Sequence, residues 1–133
     1  MKVNVRFAPS PTGYLHVGGL RTALYNYLFA KKNNGNFILR IEDTDQARKV
    51  EGAIPNLVES LNHCGIIFDE GPTSYDKDDL FLQSNRLKLY NTGVDYLLNN
   101  EHAYICLDDD IEKYKDQKLS KDQLADVDYH VRL

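Results

Sequence analysis

The sequence predicts an α/β domain built on a parallel sheet. Apolar and polar residues alternate over residues 2–7, which is the period of a half-buried strand. From Gly18 the apolar residues recur every three or four positions, as in a helix that buries one face, and Phe37 to Ile41 form a second apolar run. Two strands joined by a helix of about four turns pair in parallel through a right-handed crossover.

The first strand is followed by the turn Ala8 to Gly13, which contains two prolines and a glycine. These residues neither continue a strand nor start a helix early, so they predict a fixed turn. The turn follows the carboxyl end of the strand, and open α/β sheets bind their ligands at that edge. The buried face of the helix is expected to hold Leu20, Ala23, Leu24, Tyr27 and Leu28, and Asn33 to Gly35 to end the helix.

The remaining chain is predicted to contain two further helices and two short strands. The apolar periods place them near residues 54–61, 87–98, 104–107 and 129–133, with a short apolar run at 66–68. The first of these helices is expected to end near Gly65. Asp108 to Gln123 is highly charged and is predicted to be a surface helix or loop. Since Val131 to Leu133 carries no stop signal, we expect the chain to be truncated.

Composition limits the class of protein. The 133 residues are 42% apolar and 27% charged, which fits one folded domain and excludes a disordered chain. The apolar stretches are much shorter than the roughly 18 residues of a membrane helix. Two cysteines are too few for a disulfide scaffold, so a reduced, cytoplasmic setting is expected. Residues 1–50 carry eight Lys or Arg against three Asp or Glu. An anionic ligand is therefore expected to meet the N-terminal part.

The segment from Arg6 to Gly19, RFAPSPTGYLHVGG, is the first candidate site. Gly18 and Gly19 have no side chains and lie where a helix begins, so a phosphate could approach the free backbone N–H groups. His16 beside them could donate to a phosphate oxygen. The alternative is that the glycines only allow close packing and that His16 is a surface residue.

A second candidate site is Leu39 to Asp45, LRIEDTD, at the end of the second strand. Its carboxylates reach the same sheet edge, where Glu42 could hold a substrate ammonium. The alternatives are a solvated acidic loop, with Asp43 capping the next turn, and a calcium loop. The calcium alternative is weak because the required spacing and glycine are missing.

Four sequence blocks together resemble one family. RFAPSPTG, LHVGG with RTALYN and LFAK, LRIEDTD and DEGP occur in the order and spacing found at the start of bacterial-type glutamyl-tRNA synthetases, which are class I aminoacyl-tRNA synthetases. His16 to Gly19 matches the family's His-Ile-Gly-His signature in a variant that ends in glycine. The resemblance implies the first half of a Rossmann-like parallel sheet at residues 1–107. Residues 108–133 would begin an inserted acceptor-binding subdomain.

The resemblance also implies roles for individual residues. Arg6, Ala8, Ser10 and Glu42 would bind glutamate, with Arg6 on a carboxylate and Glu42 on the α-ammonium. The implied ATP site consists of Thr12, His16, Gly18 and Gly19, with His16 and Gly19 acting in catalysis, and Mg²⁺ would accompany the nucleotide. The glutamate carboxylate would attack the α-phosphate of ATP, and the glutamyl group would pass to the terminal adenosine of tRNA. This chemistry depends on positioning and charge stabilisation rather than on a covalent nucleophile.

Two departures from the family pattern concern lysines and cysteines. Lys118 to Lys121, KLSK, resembles the family's second signature but lies only about a hundred residues after His16, in charged sequence. Such short matches arise easily, so we interpret it as a solvated surface run. Cys106 matches one position of a zinc-binding Cys-x-Cys pair, but Asp108 occupies the other, so no zinc or other metal site is expected. His63 and Cys64 are interpreted as surface and packing residues.

Rival functions remain open at this stage. A tRNA-modifying relative that attaches glutamate to a modified base is a close alternative, although the TALYN sequence at residues 22–26 and the missing cysteines favour the synthetase. Glutaminyl-tRNA synthetases typically have a Pro-Glu-Pro-Asn-Gly turn where this chain has Ser10 to Gly13. This difference favours the glutamyl enzymes over the glutaminyl ones. A non-catalytic binding or regulatory fragment is the third possibility. The expected partners are glutamate, ATP and tRNA, in the cytoplasm and without a membrane.

Overall fold

The structure is a computed structural model that describes residues 2–74, 79–107, 119, 121 and 129–133. The chain divides into two compact units, Met1–Arg86 and Leu87–Leu133. The domain boundary predicted between residues 107 and 108 borders residues outside the described part and stays a prediction. Among the described residues, no helix combines the length and apolar character that crossing a membrane requires.

The first unit opens with two parallel strands joined by a helix. Strand β1 spans Asn4–Phe7, helix α1 spans Val17–Lys32 and strand β2 spans Asn36–Leu39. The strands pair in parallel, with Asn4 opposite Asn36 and Phe7 opposite Leu39. The predicted strand, turn, helix and strand are therefore confirmed in this order.

Strand β2 also has a partner on its other side. The N–H of Leu39 donates to the carbonyl of Glu70 at 2.8 Å, and the N–H of Asp69 donates to the carbonyl of Phe37 at 2.8 Å. These bonds align the short run predicted at residues 66–68 and its continuation with β2. Beyond the end of β2, Ile41 forms a single parallel bridge with Leu82. The second predicted strand is therefore shorter than expected, but its pairing continues.

The core of this unit lies on one face of the strands. The buried strand residues Phe7, Phe37 and Leu39 alternate along β1 and β2, and they pack against α1 and against helix α2, which spans Ala53–His63. The helices contribute the buried residues Ala23, Ala30, Ile54, Leu57 and Leu61. The helix predicted near residues 54–61 is confirmed. It ends before Gly65, which has a φ of 70°.

The predicted buried face of α1 is partly wrong. Leu24 and Leu28 are 40% and 53% exposed, whereas Ala23 and Ala30 are fully buried and Tyr27 packs its ring edge-on against Phe37. The small alanine side chains let the helix approach the sheet closely, and this turns the neighbouring leucines outward. Periodicity alone placed Ala23 and these leucines on one buried face, because an alanine and a leucine both count as apolar.

The second unit contains a helix and an antiparallel strand pair. Helix α3 spans Leu87–Asn99, strand β3 spans Tyr104–Cys106 and strand β4 spans His130–Arg132. Strands β3 and β4 are antiparallel, with Ile105 opposite Val131. These elements confirm the helix and the two strands predicted for this part. Of the charged segment predicted at 108–123, only residues 119 and 121 are described.

Candidate active site

Three charged side chains share the face of the sheet opposite the helices. Successive residues of a strand point to opposite faces. Since Phe7 and Leu39 face the helices, their neighbours Arg6 and Arg40 face the other side, and Glu42 follows two residues after Arg40. The structure therefore brings Arg6 and Glu42 together at neighbouring strand ends, as the sequence led us to expect.

Backbone hydrogen bonds continue beyond the strands and fix this edge. The N–H of Arg40 donates to the carbonyl of Phe7 at 3.0 Å, and the N–H of Glu42 donates to the carbonyl of Pro9 at 2.9 Å. The proline turn is thereby held against the segment that follows β2. Ala8 is half-buried, whereas Ser10 and Thr12 are exposed. These three predicted site residues thus lie in the turn that borders the charged group.

Glu42 lies close to two guanidinium groups. Its Oε1 is 2.9 Å from Nη2 of Arg40 and 3.8 Å from Nη2 of Arg6. The side chain of Arg6 is 48% exposed, whereas that of Arg40 is 18% exposed. The sequence analysis missed Arg40. Its position two residues before Glu42 in an extended segment was the signal that places both side chains on one face.

His16 caps the N-terminus of α1, which begins one residue earlier than predicted. Its Nδ1 accepts a hydrogen bond from the N–H of Gly18 at 3.1 Å. In the neutral ring the proton then lies on Nε2, which leaves that nitrogen as a donor. A Cβ on Gly18 would lie 2.8 Å from Cε1 of His16, and one on Gly19 would lie 2.9 Å from Cδ1 of Leu15. Both glycines therefore also allow close packing at the helix start, as the alternative interpretation holds.

A cavity of about 540 Å³ opens beside His16. The beginning of α1 forms one wall, and the side chains of Glu59, Ser60 and His63 on α2 contribute to the other. A volume of this size lies within the usual range of small-molecule sites, roughly 300–1,000 Å³. His63 and Cys64, interpreted as surface and packing residues, are both exposed. Within the described residues, no three His, Cys, Asp or Glu side chains form a group that could hold a metal ion.

Asp43 is buried and anchors the loop that follows Glu42. Its side chain is 1% exposed and accepts hydrogen bonds from the N–H of Ser84 at 2.9 Å and from its hydroxyl at 2.7 Å. Burial acts to raise the pKa of Asp43, but the hydrogen bonds from Ser84 outweigh it, and with the charge of Lys49 they hold the pKa below its usual range. No sequence signal joins Asp43 to a residue 41 positions away.

The suggestion that Asp43 caps the next turn is wrong. Asp45 takes this role instead. Its carboxylate accepts from the N–H of Arg48 at 3.1 Å at the start of a short 3₁₀ helix, Gln46–Arg48. The side chain of Arg48 also donates to Asp45, at 2.6 Å. These bonds lower the pKa of the Asp45 carboxyl.

The DEGP block has a structural role in this unit. Asp69 accepts from the N–H of Phe37 at 2.8 Å and from Nζ of Lys31 at 3.0 Å. The Phe37 N–H, followed by the Lys31 ammonium, holds the pKa of the Asp69 carboxyl below its usual value. The block thus connects the third segment of the sheet to β2 and to the end of α1.

The second-signature match and the cysteine lie in the second unit. Nζ of Lys121 is 2.6 Å from Oδ1 of Asp95, and this hydrogen bond raises the pKa of Lys121. Lys118 lies outside the described residues. Cys106 is buried, and Asp108, which occupies the other position of the Cys-x-Cys pair, also lies outside them. The ion pair of Lys121 fits the interpretation of this segment as a surface run.

The chain belongs to the family of class I tRNA synthetases (E and Q), catalytic domain, whose model matches residues 2–131. It is 61% identical over 105 residues to a glutamate–tRNA ligase of Pelodictyon phaeoclathratiforme, covering 79% of this chain and 21% of the relative. It is 48% identical over 133 residues to one of Christiangramia forsetii, covering 98% and 26%. The resemblance found in the sequence is thereby confirmed.

Solved structures agree with these relatives. A glutamate-tRNA synthetase of Elizabethkingia anophelis matches with a TM-score of 0.74 at 48% identity, covering 85% of this chain and 23% of that one. A glutamate tRNA ligase of Elizabethkingia meningosepticum, in complex with its amino acid, matches with a TM-score of 0.70 at 46% identity, covering 85% and 22%. The α/β fold predicted from the sequence is confirmed. The chain spans about a fifth to a quarter of the length of these relatives.

Proposed function

We propose that this chain forms the glutamate- and ATP-binding half of the catalytic domain of a glutamate–tRNA ligase. The observation that carries the proposal is the approach of Arg6 and Glu42 to 3.8 Å at the strand ends, beside a turn that leads into a glycine-rich helix start. A free amino acid carries both a carboxylate and an ammonium group. Two opposite charges on rigid neighbouring strands suit such a ligand.

The glutamate site would use the open face of the sheet. Arg6 would bind a carboxylate, and its 48% exposure leaves the guanidinium accessible. Glu42 would bind the α-ammonium, while Ala8 and Ser10 would line the pocket from the turn. The names of the relatives support glutamate as the amino acid.

The ATP site would lie at the beginning of α1. The positive end of the helix dipole favours phosphate there, although the N–H of Gly18 is already bonded to His16, and Gly18 and Gly19 keep side chains out of the approach. His16 would donate from Nε2 to a phosphate oxygen, and Thr12 would contact the rim. The described residues offer no acidic cluster for a metal ion, so Mg²⁺ would be carried by the phosphates.

The reaction would begin with attack of the glutamate carboxylate on the α-phosphate, releasing pyrophosphate. Transfer of the glutamyl group to tRNA would follow in the cytoplasm, with residues 108–133 beginning the acceptor-binding subdomain. The tRNA-modifying relative fits less well, because the similar curated proteins at 48–61% identity are glutamate–tRNA ligases. A binding fragment without turnover remains the alternative from another class.

Titration calorimetry with separate ligands tests the proposal. Arg6→Ala should weaken binding of glutamate or of a glutamyl-adenylate analogue by about 1.5–3 kcal/mol, the contribution of a charged hydrogen bond, and leave ATP binding nearly intact. Gly19→Val should weaken ATP binding instead, because the added side chain blocks the helix start. Arg48→Ala is the matched control, since it removes an arginine–carboxylate pair outside the site. Equal loss of both ligands in Arg6→Ala would refute the assignment.

A further inference from the structure

We infer that Arg40 is a positioning residue that keeps Arg6 and Glu42 apart as two separate substrate-binding charges. This inference rests on the proposed function and extends it to a residue with no role in the pattern found from the sequence. Arg40 would act through Glu42 rather than through the substrate.

Arg40 lies closer to Glu42 than Arg6 does. Its Nη2 lies 2.9 Å from Oε1 of Glu42, which is the length of a charge-assisted hydrogen bond. Nη2 of Arg6 lies 3.8 Å from the same oxygen, too far for a hydrogen bond. Glu42 is therefore bonded to Arg40, and the donors of Arg6 are not used up by Glu42.

The backbone and the burial make this arrangement rigid. The N–H groups of Arg40 and Glu42 are bonded to Phe7 and Pro9, so neither residue can move along the strand. The side chain of Arg40 is 18% exposed against 48% for Arg6, and an ion pair shielded from water is the stronger one. Nε of Arg40 is buried without a hydrogen-bond partner among the described residues. Because an unpaired buried donor costs stability, the fold alone does not explain an arginine here.

The charges of the group complement those of glutamate. Two guanidinium groups and one carboxylate have a net charge of +1, whereas free glutamate, with two carboxylates and one ammonium, has a net charge of −1. Without Arg40 the remaining pair would be neutral, and Arg6 and Glu42 would be each other's nearest partner. A substrate would then have to separate them before binding either.

The test is an NMR titration of the 133-residue chain with L-glutamate and with glutarate, which lacks the ammonium. Arg40→Gln should weaken binding of both ligands by about tenfold, or about 1.4 kcal/mol, because Glu42 then neutralises Arg6 and repels the ligand carboxylates. Adding Glu42→Gln to that variant should restore glutarate binding, because Arg6 is released. The matched control Arg48→Gln should change neither affinity.

The outcomes separate this inference from the proposed function. Equal affinity of the wild type for glutamate and glutarate would refute the ammonium role of Glu42, and the inference with it. A normal preference for glutamate, with no recovery of glutarate binding in the double variant, would refute the inference alone. Should Arg40→Gln unfold, Arg40→Lys serves instead. It keeps the charge and should hold glutarate affinity within about threefold of wild type, whereas a tenfold loss would contradict the charge-based role.

Discussion

Replacement of Asp43 by alanine should destabilise the first unit more than any surface change near the site. The carboxylate is 1% exposed and accepts from both the N–H and the hydroxyl of Ser84, so Asp43→Ala leaves two donors without their acceptor. A hydrogen bond to a charged group contributes about 1.5–3 kcal/mol. Relief from burying the carboxylate offsets part of the loss, which leaves an expected decrease of about 2–4 kcal/mol in the free energy of unfolding.

Urea denaturation followed by circular dichroism measures this decrease. Ser84→Ala removes only the hydroxyl donor and should cost about 1.5–3 kcal/mol, because the acceptor is charged. Asp45→Ala is the matched control, because it removes an exposed carboxylate and a helix cap from the same loop and should cost less than Asp43→Ala. If Asp43→Ala cost no more than Asp45→Ala, the buried hydrogen bonds would not hold this loop and the reasoning would be wrong.

The same carboxylate predicts a pH dependence. The pKa of Asp43 is lowered in the folded protein, so the unfolded chain takes up its proton first as the pH falls. The stabilisation is therefore complete above the ordinary Asp pKa of about 3.9 and is lost as the pH falls below it. Asp69 and Asp45 have lowered pKa values as well, so the comparison uses the difference between wild type and Asp43→Asn. This difference should shrink as the pH falls below about 4, and a constant difference would contradict the assignment.

Two further predictions concern a turn and the activity of the chain. Gly35→Ala should lower the free energy of unfolding by about 1–3 kcal/mol, because a Cβ there collides with the carbonyl oxygen of Val3. Gly93→Ala is the control and should be neutral or stabilising, because a Cβ there would have no atom within 4 Å. Equal melting temperatures of the two variants would contradict this prediction. The 133-residue chain should show no ATP–pyrophosphate exchange with glutamate and tRNA, because Lys121 is bound to Asp95 and one missing charge donor alone costs about 10²–10³ in rate. Robust exchange that collapses in Lys118→Ala with Lys121→Ala would show that this lysine pair is catalytic.

The sequence was sufficient for the order of the elements because each carries a local signal. Alternation marks β1, and the change of period marks α1. The helix ends at Asn33 to Gly35 as predicted, where Asn34 has a φ of 48°. The sequence did not predict the rotation of α1 about its axis, and hence which of its residues face the sheet. That rotation depends on how closely alanine side chains approach the sheet, which is a property of two surfaces in contact.

The candidate site likewise has residues that the sequence could place and contacts that it could not. Arg6 and Glu42 could be placed at one edge because the ends of parallel strands coincide, and their neighbour Arg40 was within reach of the same argument. The hydrogen bond that anchors the loop, between Asp43 and Ser84, could not be predicted in this way. Asp43 and Ser84 are 41 residues apart, and the bond between them depends on how the chain returns to the end of β2. Contacts of this kind are fixed by tertiary structure, so no spacing in the sequence reports them.

The two prolines of the turn explain how backbone groups become available for a ligand. Three N–H groups from the segment after β2 donate to alternate carbonyls, those of Phe7, Pro9 and Pro11, at 2.9–3.0 Å. In an extended chain, the N–H and carbonyl of one residue point to the same side, and those of the next residue to the other. Proline has no N–H, so Pro9 and Pro11 can face β2 as acceptors without leaving a donor unpaired. The N–H groups of the intervening residues Ala8 and Ser10 then face away from β2. We therefore expect the turn to present main-chain donors beside Arg6, at the edge of the proposed glutamate site.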